Sequence, residues 1–243
     1  MRVKSGEILP EKAADEMPRY AEILKKHGRS MIFITTDILG VDTPNAETVL
    51  RTAKKLGIRY YRMGFITYPK DKSPKELVTE TRAKLKDLAA LNRELGLTAI
   101  WQNHSPSNKT SLYLGGDLNV MEALMEGFSP NEIAVAFDLG HSLVVHGQQW
   151  KEHFNKLKPH FGLAYIKDVN LALEDKKKFC AFGDGDFAKT DFFTQLKAMH
   201  YAQPLSVHVE YEWTEPKQPK TRELLIPVLQ RCVKMTRQWC AAA

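Results

Sequence analysis

Along the chain, amphipathic stretches of helical period repeatedly stop at a glycine, and a short apolar or alternating run follows within about two residues. Glu11 to His27 reads as a helix with a kink expected at Pro18, and Gly28 stops it before a strand over Met31 to Asp37. Thr43-Pro44 opens the next helix, which Gly57 closes in a left-handed cap before a strand over Ile58 to Phe65. Ser73-Pro74-Lys75-Glu76 has the form of a capping box with proline at the first helical position. It opens a long helix that ends at Gly96, and Leu97 to His104 follows as a strand.

Ser105 to Gly116 reads as a polar loop, Leu118 to Glu126 as a short helix and Ile133 to Leu139 as a strand. A helix over Trp150 to Lys158 precedes Gly162 and a strand over Leu163 to Asp168. Asp191 to His200 is helical before Leu205 to Glu212, and a last helix over Thr221 to Trp239 is expected to bend at Pro227. Arg2-Val3-Lys4 looks like the end of one more strand. Strands that alternate with helices imply a parallel sheet with right-handed crossovers.

Two architectures compete for that sheet. A doubly wound fold binds dinucleotides through a G-x-G-x-x-G turn after its first strand, and none is present; Gly183-Asp184-Gly185 is a turn in a long loop. In the last strand, positions 206, 208, 210 and 212 are polar while 205, 207, 209 and 211 are apolar or aromatic. A barrel strand turns its apolar face to the outer helices and points ionisable groups inward; a solvent-exposed edge strand is the alternative. The expected fold is α/β, a (β/α)8 TIM-type barrel lacking its first strand, with residues 1–243 as one domain.

Composition narrows the function. The formal charge of +6 is spread out, and the longest basic block is Lys176-Lys177-Lys178, so no nucleic-acid partner is expected. Cys180, Cys232 and Cys240 form no C-x-x-C pair, against both a disulfide framework and a structural zinc site. No apolar run reaches the roughly 18 residues of a membrane span, and no signal-like apolar segment follows Met1, so a cytoplasmic location is expected unless a leader is missing upstream. A barrel with unpaired edges needs a partner or a longer chain, which makes a homo-oligomer an expectation.

Strand phase then groups the chemistry. Tyr60, Arg62 and Gly64 share a face, as do Ile100, Gln102 and His104; Ala134, Ala136 and Asp138; and Tyr165 and Lys167. With His208 and Glu210, these side chains can converge at the carboxyl ends of the strands, where barrel enzymes build their sites. Each has a plainer role as well: Arg62 as partner of a carboxylate, Asp138 as a helix cap, His104 and His141 as structural histidines. An inward Lys167 needs a partner. His146, His153, His160 and His200 are expected on solvated surfaces.

Gln102-Asn103-His104, Phe137-Asp138-Leu139-Gly140-His141, Tyr165-Ile166-Lys167-Asp168, Gly183-Asp184-Gly185-Asp186 and Val207-His208-Val209-Glu210 appear in an order that resembles the xylose isomerase-like TIM-barrel superfamily, the sugar phosphate isomerase/epimerase group. The resemblance implies one divalent metal (Mn, Mg, Co or Zn) held by a Glu, an Asp, a His and a Glu from the last four strands. Asp138 matches the Asp, Glu210 the final Glu and His141 a substrate-contacting histidine. Gln102 stands where the first Glu is expected and Tyr165 where the His is common, which weakens the hold on an ion.

The implied reaction is isomerisation or epimerisation of a sugar or sugar phosphate by proton abstraction next to a carbonyl. Glu210 is the expected base, tuned by burial and by His208 or Lys167, with Lys167 and His104 as further catalytic candidates. Asp138, Glu210 and Gln102 are the expected metal ligands, and Arg62, His104, His141 and His208 the expected contacts to a small carbohydrate. A carbohydrate-binding barrel without catalysis, and a sugar dehydratase or lyase, are the alternatives. Cleavage of damaged DNA, as in the apurinic endonuclease branch, needs a richer His and carboxylate cluster.

Overall fold

Start and stop signals place most helices where the pattern predicts them. The computed structural model describes residues 7–69, 71–106, 112–173, 178–215 and 218–243; Arg2-Val3-Lys4 and Lys176-Lys177 lie outside the described residues. The elements are α1 (Ala13–Lys26), β1 (Phe33–Thr35), α2 (Ala46–Lys55), β2 (Tyr60–Arg62), α3 (Pro74–Leu95), β3 (Thr98–Gln102), α4 (Leu118–Met125), β4 (Ile133–Asp138), α5 (Leu139–His146), α6 (Trp150–Leu157), β5 (Phe161–Ile166), β6 (Asp168–Val169), β7 (Phe179–Cys180), α7 (Phe192–Ala198), β8 (Leu205–Val207) and α8 (Arg222–Ala242).

The capping box is reciprocal: the Glu76 N–H donates to Ser73 Oγ at 3.3 Å and the Ser73 N–H to Glu76 Oε2 at 2.9 Å. Gly96 closes α3 in the left-handed region at φ 67°. Two expectations need correction. Pro44 lies outside α2, which starts only after Asn45 turns through φ 61°. Helices α1 and α8 contain Pro18 and Pro227, as the sequence indicates, each of which withholds a single N–H from its helix. His153 is buried and bonded to Glu122 at 3.0 Å, and His146 accepts the Leu118 N–H at 3.1 Å, so neither is simply solvated.

Six strands form one parallel sheet in the order β1-β2-β3-β4-β5-β8. The paired segments are shorter than the apolar runs, because the chain leaves the ladder where the site begins. After β5 the backbone turns, and Asp168–Val169 pairs antiparallel with Phe179–Cys180 instead of prolonging the sheet. The Asp168 carboxylate accepts N–H groups from Gly183, Gly185 and Phe187 at 2.8, 3.1 and 3.1 Å, so the Gly-Asp-Gly loop is wrapped around a buried anion for structural reasons.

The sheet is curled as in an incomplete (β/α)8 barrel. Four strand steps span about 19 Å in a flat sheet, yet the rings of Phe33 on β1 and Tyr165 on β5 lie 6.4 Å apart. Tyr60, Ile100, Ala134, Ala136, Leu163 and Tyr165 fill the concave side as a cluster of their own. The alternate residues Tyr61, Ala99, Trp101, Val135, Phe137, Ala164 and Ile166 join the larger core under the helices. The two-residue phase read from sequence therefore holds on β2 through β5. Among the described residues no helix is long and apolar enough to cross a membrane.

A candidate active site at the carboxyl ends of the strands

Asp138 is fixed from three directions. Its backbone N–H donates to Asn103 Oδ1 at 2.7 Å and its carbonyl accepts from Asn103 Nδ2 at 3.0 Å, so the Asn103 side chain extends the β3–β4 ladder by one step. One carboxylate oxygen caps α5 by accepting the His141 N–H at 3.2 Å. The other accepts Gln102 Nε2 at 2.9 Å and Lys167 Nζ at 2.8 Å. Asp138 thus caps α5 and at the same time pairs with Lys167.

Lys167, 1 % exposed, finds three partners: Asp138 Oδ2, Glu210 Oε1 at 2.5 Å and His141 Nε2 at 2.7 Å. Pairing of this kind is the condition under which a buried charge is tolerated. A β-carbon at position 140 would collide with the Lys167 stem, so Gly140 makes the room through which the side chain passes. The carboxyl groups of Asp138 and Glu210 therefore meet on one atom, although 72 positions separate them in sequence.

The two histidines take defined tautomers. An ammonium only donates, so His141 Nε2 accepts from Lys167 and Nδ1 carries the proton toward Ser105 Oγ at 2.9 Å. His104 Nδ1 faces the Ser105 carbonyl at 2.6 Å and must donate, which leaves the Nε2 lone pair free of any partner among the described residues. The two rings lie against each other at a tilt of 36°, with centroids 3.7 Å apart. Burial pushes both imidazoles below their ordinary value, with the Lys167 charge acting in the same direction, so both are neutral near pH 7.

Glu210 is tuned by burial and by the neighbours that the sequence named, His208 and Lys167. Burial pushes its carboxyl up, but His208 beside it, the Lys167 charge and His141 together outweigh burial and bring it down to about 2. His208 in turn bonds Ser206 Oγ at 2.9 Å and packs on the Tyr165 ring at 4.5 Å. Arg62 lies at the edge of this cluster: its Nη1 donates to the Met63 carbonyl at 3.1 Å and its guanidinium lies over Phe65 at 4.6 Å, whose ring meets that of His104 at 5.2 Å. Sequence reasoning gave no role to Ser105, to Asn103 or to Phe179, whose ring edge meets His141 at 5.1 Å. Of these, only Asn103 was within a quoted motif, the Gln102-Asn103-His104 run.

Acid should undo this arrangement in two stages. The unfolded chain binds protons at imidazoles below about pH 6.5 and at Glu210 below about pH 4.5, while the folded groups resist both. Stability is then full above pH 6.5, declines as the histidine contribution is lost below it, and loses the Glu210 contribution between about pH 4.5 and 2. Urea midpoints measured across this range should fall accordingly, and Glu210→Gln should flatten the lower limb. An unaltered lower limb in that variant would contradict the depressed carboxyl.

A match to the description xylose isomerase-like TIM barrel runs over residues 4–230. The chain belongs to that family. No curated protein matches the sequence. Among solved structures, this xylose isomerase-like barrel is similar to a D-tagatose 3-epimerase-like protein, with TM-score 0.66 and 11% identity over 93% of this chain and 85% of that one. It is similar to the 3-keto-D-glucoside 4-epimerase YcjR from E. coli, with TM-score 0.64 and 13% identity over 91% and 87% of the two chains. It is also similar to the IolI protein solved with a zinc atom, with TM-score 0.64 and 11% identity over 94% and 86%. At such identities the likeness establishes the fold alone.

The family implies a divalent metal, and the residues of this barrel fit one poorly. Gln102 presents its amide nitrogen, a donor, to the Asp138 carboxylate, and Tyr165 is a buried phenol that desolvation pushes further toward neutrality. His104, His141 and Glu210 do offer ligand atoms within 4.8 Å of one another. Two of the three, however, already accept from Lys167. An ion bound at about 2.1 Å to His141 Nε2 would sit within about 5 Å of the ammonium, a repulsion on the order of 6 kcal/mol at an effective dielectric of about 20.

Proposed function

We propose that this protein is a carbohydrate-modifying enzyme, a sugar isomerase or epimerase, that removes a proton from the carbon next to a carbonyl. The single observation that supports this reading is the Lys167 ammonium, anchored by Asp138 and Glu210 and bonded to His141, whose neutral imidazole packs at a tilt against that of His104. Proton abstraction next to a carbonyl requires a base and an electrophile together, and this pairing supplies both.

In this reading the substrate carbonyl oxygen lies in the field of the Lys167 ammonium, whose three N–H donors stay on Asp138, Glu210 and His141 and whose charge stabilises the enediolate oxygen as it develops. His104 Nε2 takes the proton, becoming an imidazolium whose Nδ1–H remains on Ser105. Return of that proton to the neighbouring carbon, with the hydroxyl proton passing from the neighbouring oxygen to the enediolate oxygen, completes an isomerisation; protonation of the original carbon by water from the opposite face, with His104 releasing its proton to the resulting hydroxide, completes an epimerisation. Glu210, expected from sequence as the base, serves instead to hold and orient Lys167, because a carboxyl brought down to about 2 is a weak proton acceptor. His141 donates through Nδ1 to Ser105 Oγ and braces the lysine.

A sugar is favoured over other carbonyl compounds by the ground next to Glu210. A cavity of about 610 Å³ is lined there by Tyr211, Glu212, Trp213 and Lys220, with Lys220 Nζ 5.7 Å from the Trp213 ring. An indole beside charged and hydroxyl-bearing groups suits a ring with an apolar face and a polar rim. Incubation with a panel of ketoses and aldoses in D₂O, read by proton NMR, is expected to show loss of the signal next to the carbonyl for at least one sugar. Sugars that raise Tm without exchanging would favour the binding reading, and sugars that do neither would sink both.

A further inference from the structure

We infer that in this protein a covalently attached cation stands in place of a divalent metal: the Lys167 ammonium occupies the point where Asp138, Glu210 and His141 converge, and the mouth of the sheet takes up no ion. A lysine ammonium has three N–H donors, and Lys167 meets three acceptors, at 2.8, 2.5 and 2.7 Å. No donor is left over, and the convergent lone pairs of the three partners are used on nitrogen.

The surroundings agree with the substitution. Two carboxylates and one ammonium leave a single negative charge; with a dication in the same place, a third carboxylate would be needed to keep that charge. The position at the end of β3 where that anion would come from is Gln102, which is neutral and turns its NH₂ to Asp138. Gly140 supplies the space for the lysine stem, since any β-carbon there would strike Lys167 Cγ. The neutral amide, the neutral phenol of Tyr165, the missing β-carbon and the lysine itself are four separate features that one event explains, the exchange of a mobile ion for a tethered one. The His104, His141 and Glu210 set does not escape it, because an ion there competes with Lys167 for two of its three ligands.

The inference rests on the same cluster as the proposed reaction, but its test uses no substrate, so the two fail separately. Untagged protein purified without chelator is analysed for Mn, Zn, Co and Fe by plasma mass spectrometry, and its Tm is followed with millimolar MnCl₂ and with ZnCl₂. The wild type is expected to carry less than a tenth of an equivalent and to show no shift. The double variant Lys167→Ser, Gln102→Glu vacates the centre and adds the third carboxylate; it is expected to bind about one equivalent of Mn²⁺ and to gain Tm on its addition. Stoichiometric metal in the wild type that is lost in His141→Asn overturns the inference, and so does a double variant that folds by circular dichroism and takes no Mn²⁺. If the double variant does not fold, the metal content of the wild type decides alone.

Discussion

Lys167→Met should lower the stability of the folded protein by about 3–5 kcal/mol, because it leaves a buried carboxylate with no counter-charge. Asp138 is 0 % exposed, and its Oδ2 retains only the neutral amide of Gln102 once the ammonium is gone. For a chain of this size each kcal/mol corresponds to about 2–4 °C in Tm, so calorimetry should register a drop of roughly 6–20 °C. The methionine fills nearly the same volume, so loss of packing is a small part of the effect. Asp138→Asn in the same background removes the stranded charge and should recover much of the loss, a non-additivity that marks direct coupling. A single variant that melts with the wild type would mean that the lysine is not paired as described.

His104→Asn should reduce kcat/KM for whichever sugar exchanges in D₂O by on the order of 10²–10⁴-fold, the usual contribution of a positioned base. Asparagine retains an N–H toward the Ser105 carbonyl, which the Nδ1–H of His104 now occupies at 2.6 Å, but it has no basic nitrogen. The loss should fall on kcat more than on KM, and the acid limb of the pH–rate profile should vanish, since that limb reports protonation of the imidazole. Tm should fall less than in Lys167→Met, because His104 is only partly buried and, among the described residues, makes one hydrogen bond beside its ring contacts with Phe65, Tyr113 and His141. Exchange at the wild-type rate would remove His104 from the base role and return it to Glu210.

Much of the candidate site's composition was legible in the sequence, and the reason is the strand period. Alternation along β3, β4 and β5 puts Gln102, Asp138 and Lys167 in phase with the concave side, and each was recognisable as a polar residue out of place on an apolar strand. Glu210 and His208 lie just past the three-residue β8, and the His208 N–H still donates to the Ile166 carbonyl at 2.8 Å, which carries the alternation one step beyond the strand. The reading faltered where structure depends on distant partners. Helix α5 follows directly on Asp138 with no loop between, and the β6–β7 pair arises because Asp168 is wrapped by the Gly-Asp-Gly loop. Neither pairing leaves a local mark in hydropathy.

The electrostatics were the least accessible. A carboxylate beside a lysine and a histidine can be moved either way, and burial alone argues for an upward shift at Glu210; only the distances decide that the opposing charges win. What the amino-acid sequence determined on its own was the alternation of strands and helices, the caps of α3 and the inward phase of the ionisable residues. All of these follow from neighbours within a few positions. What only the tertiary structure decided was that Lys167 closes on Asp138, Glu210 and His141 at once, with both imidazoles neutral. Coulomb forces and desolvation depend on separations across the fold, and those separations are set when the sheet curls.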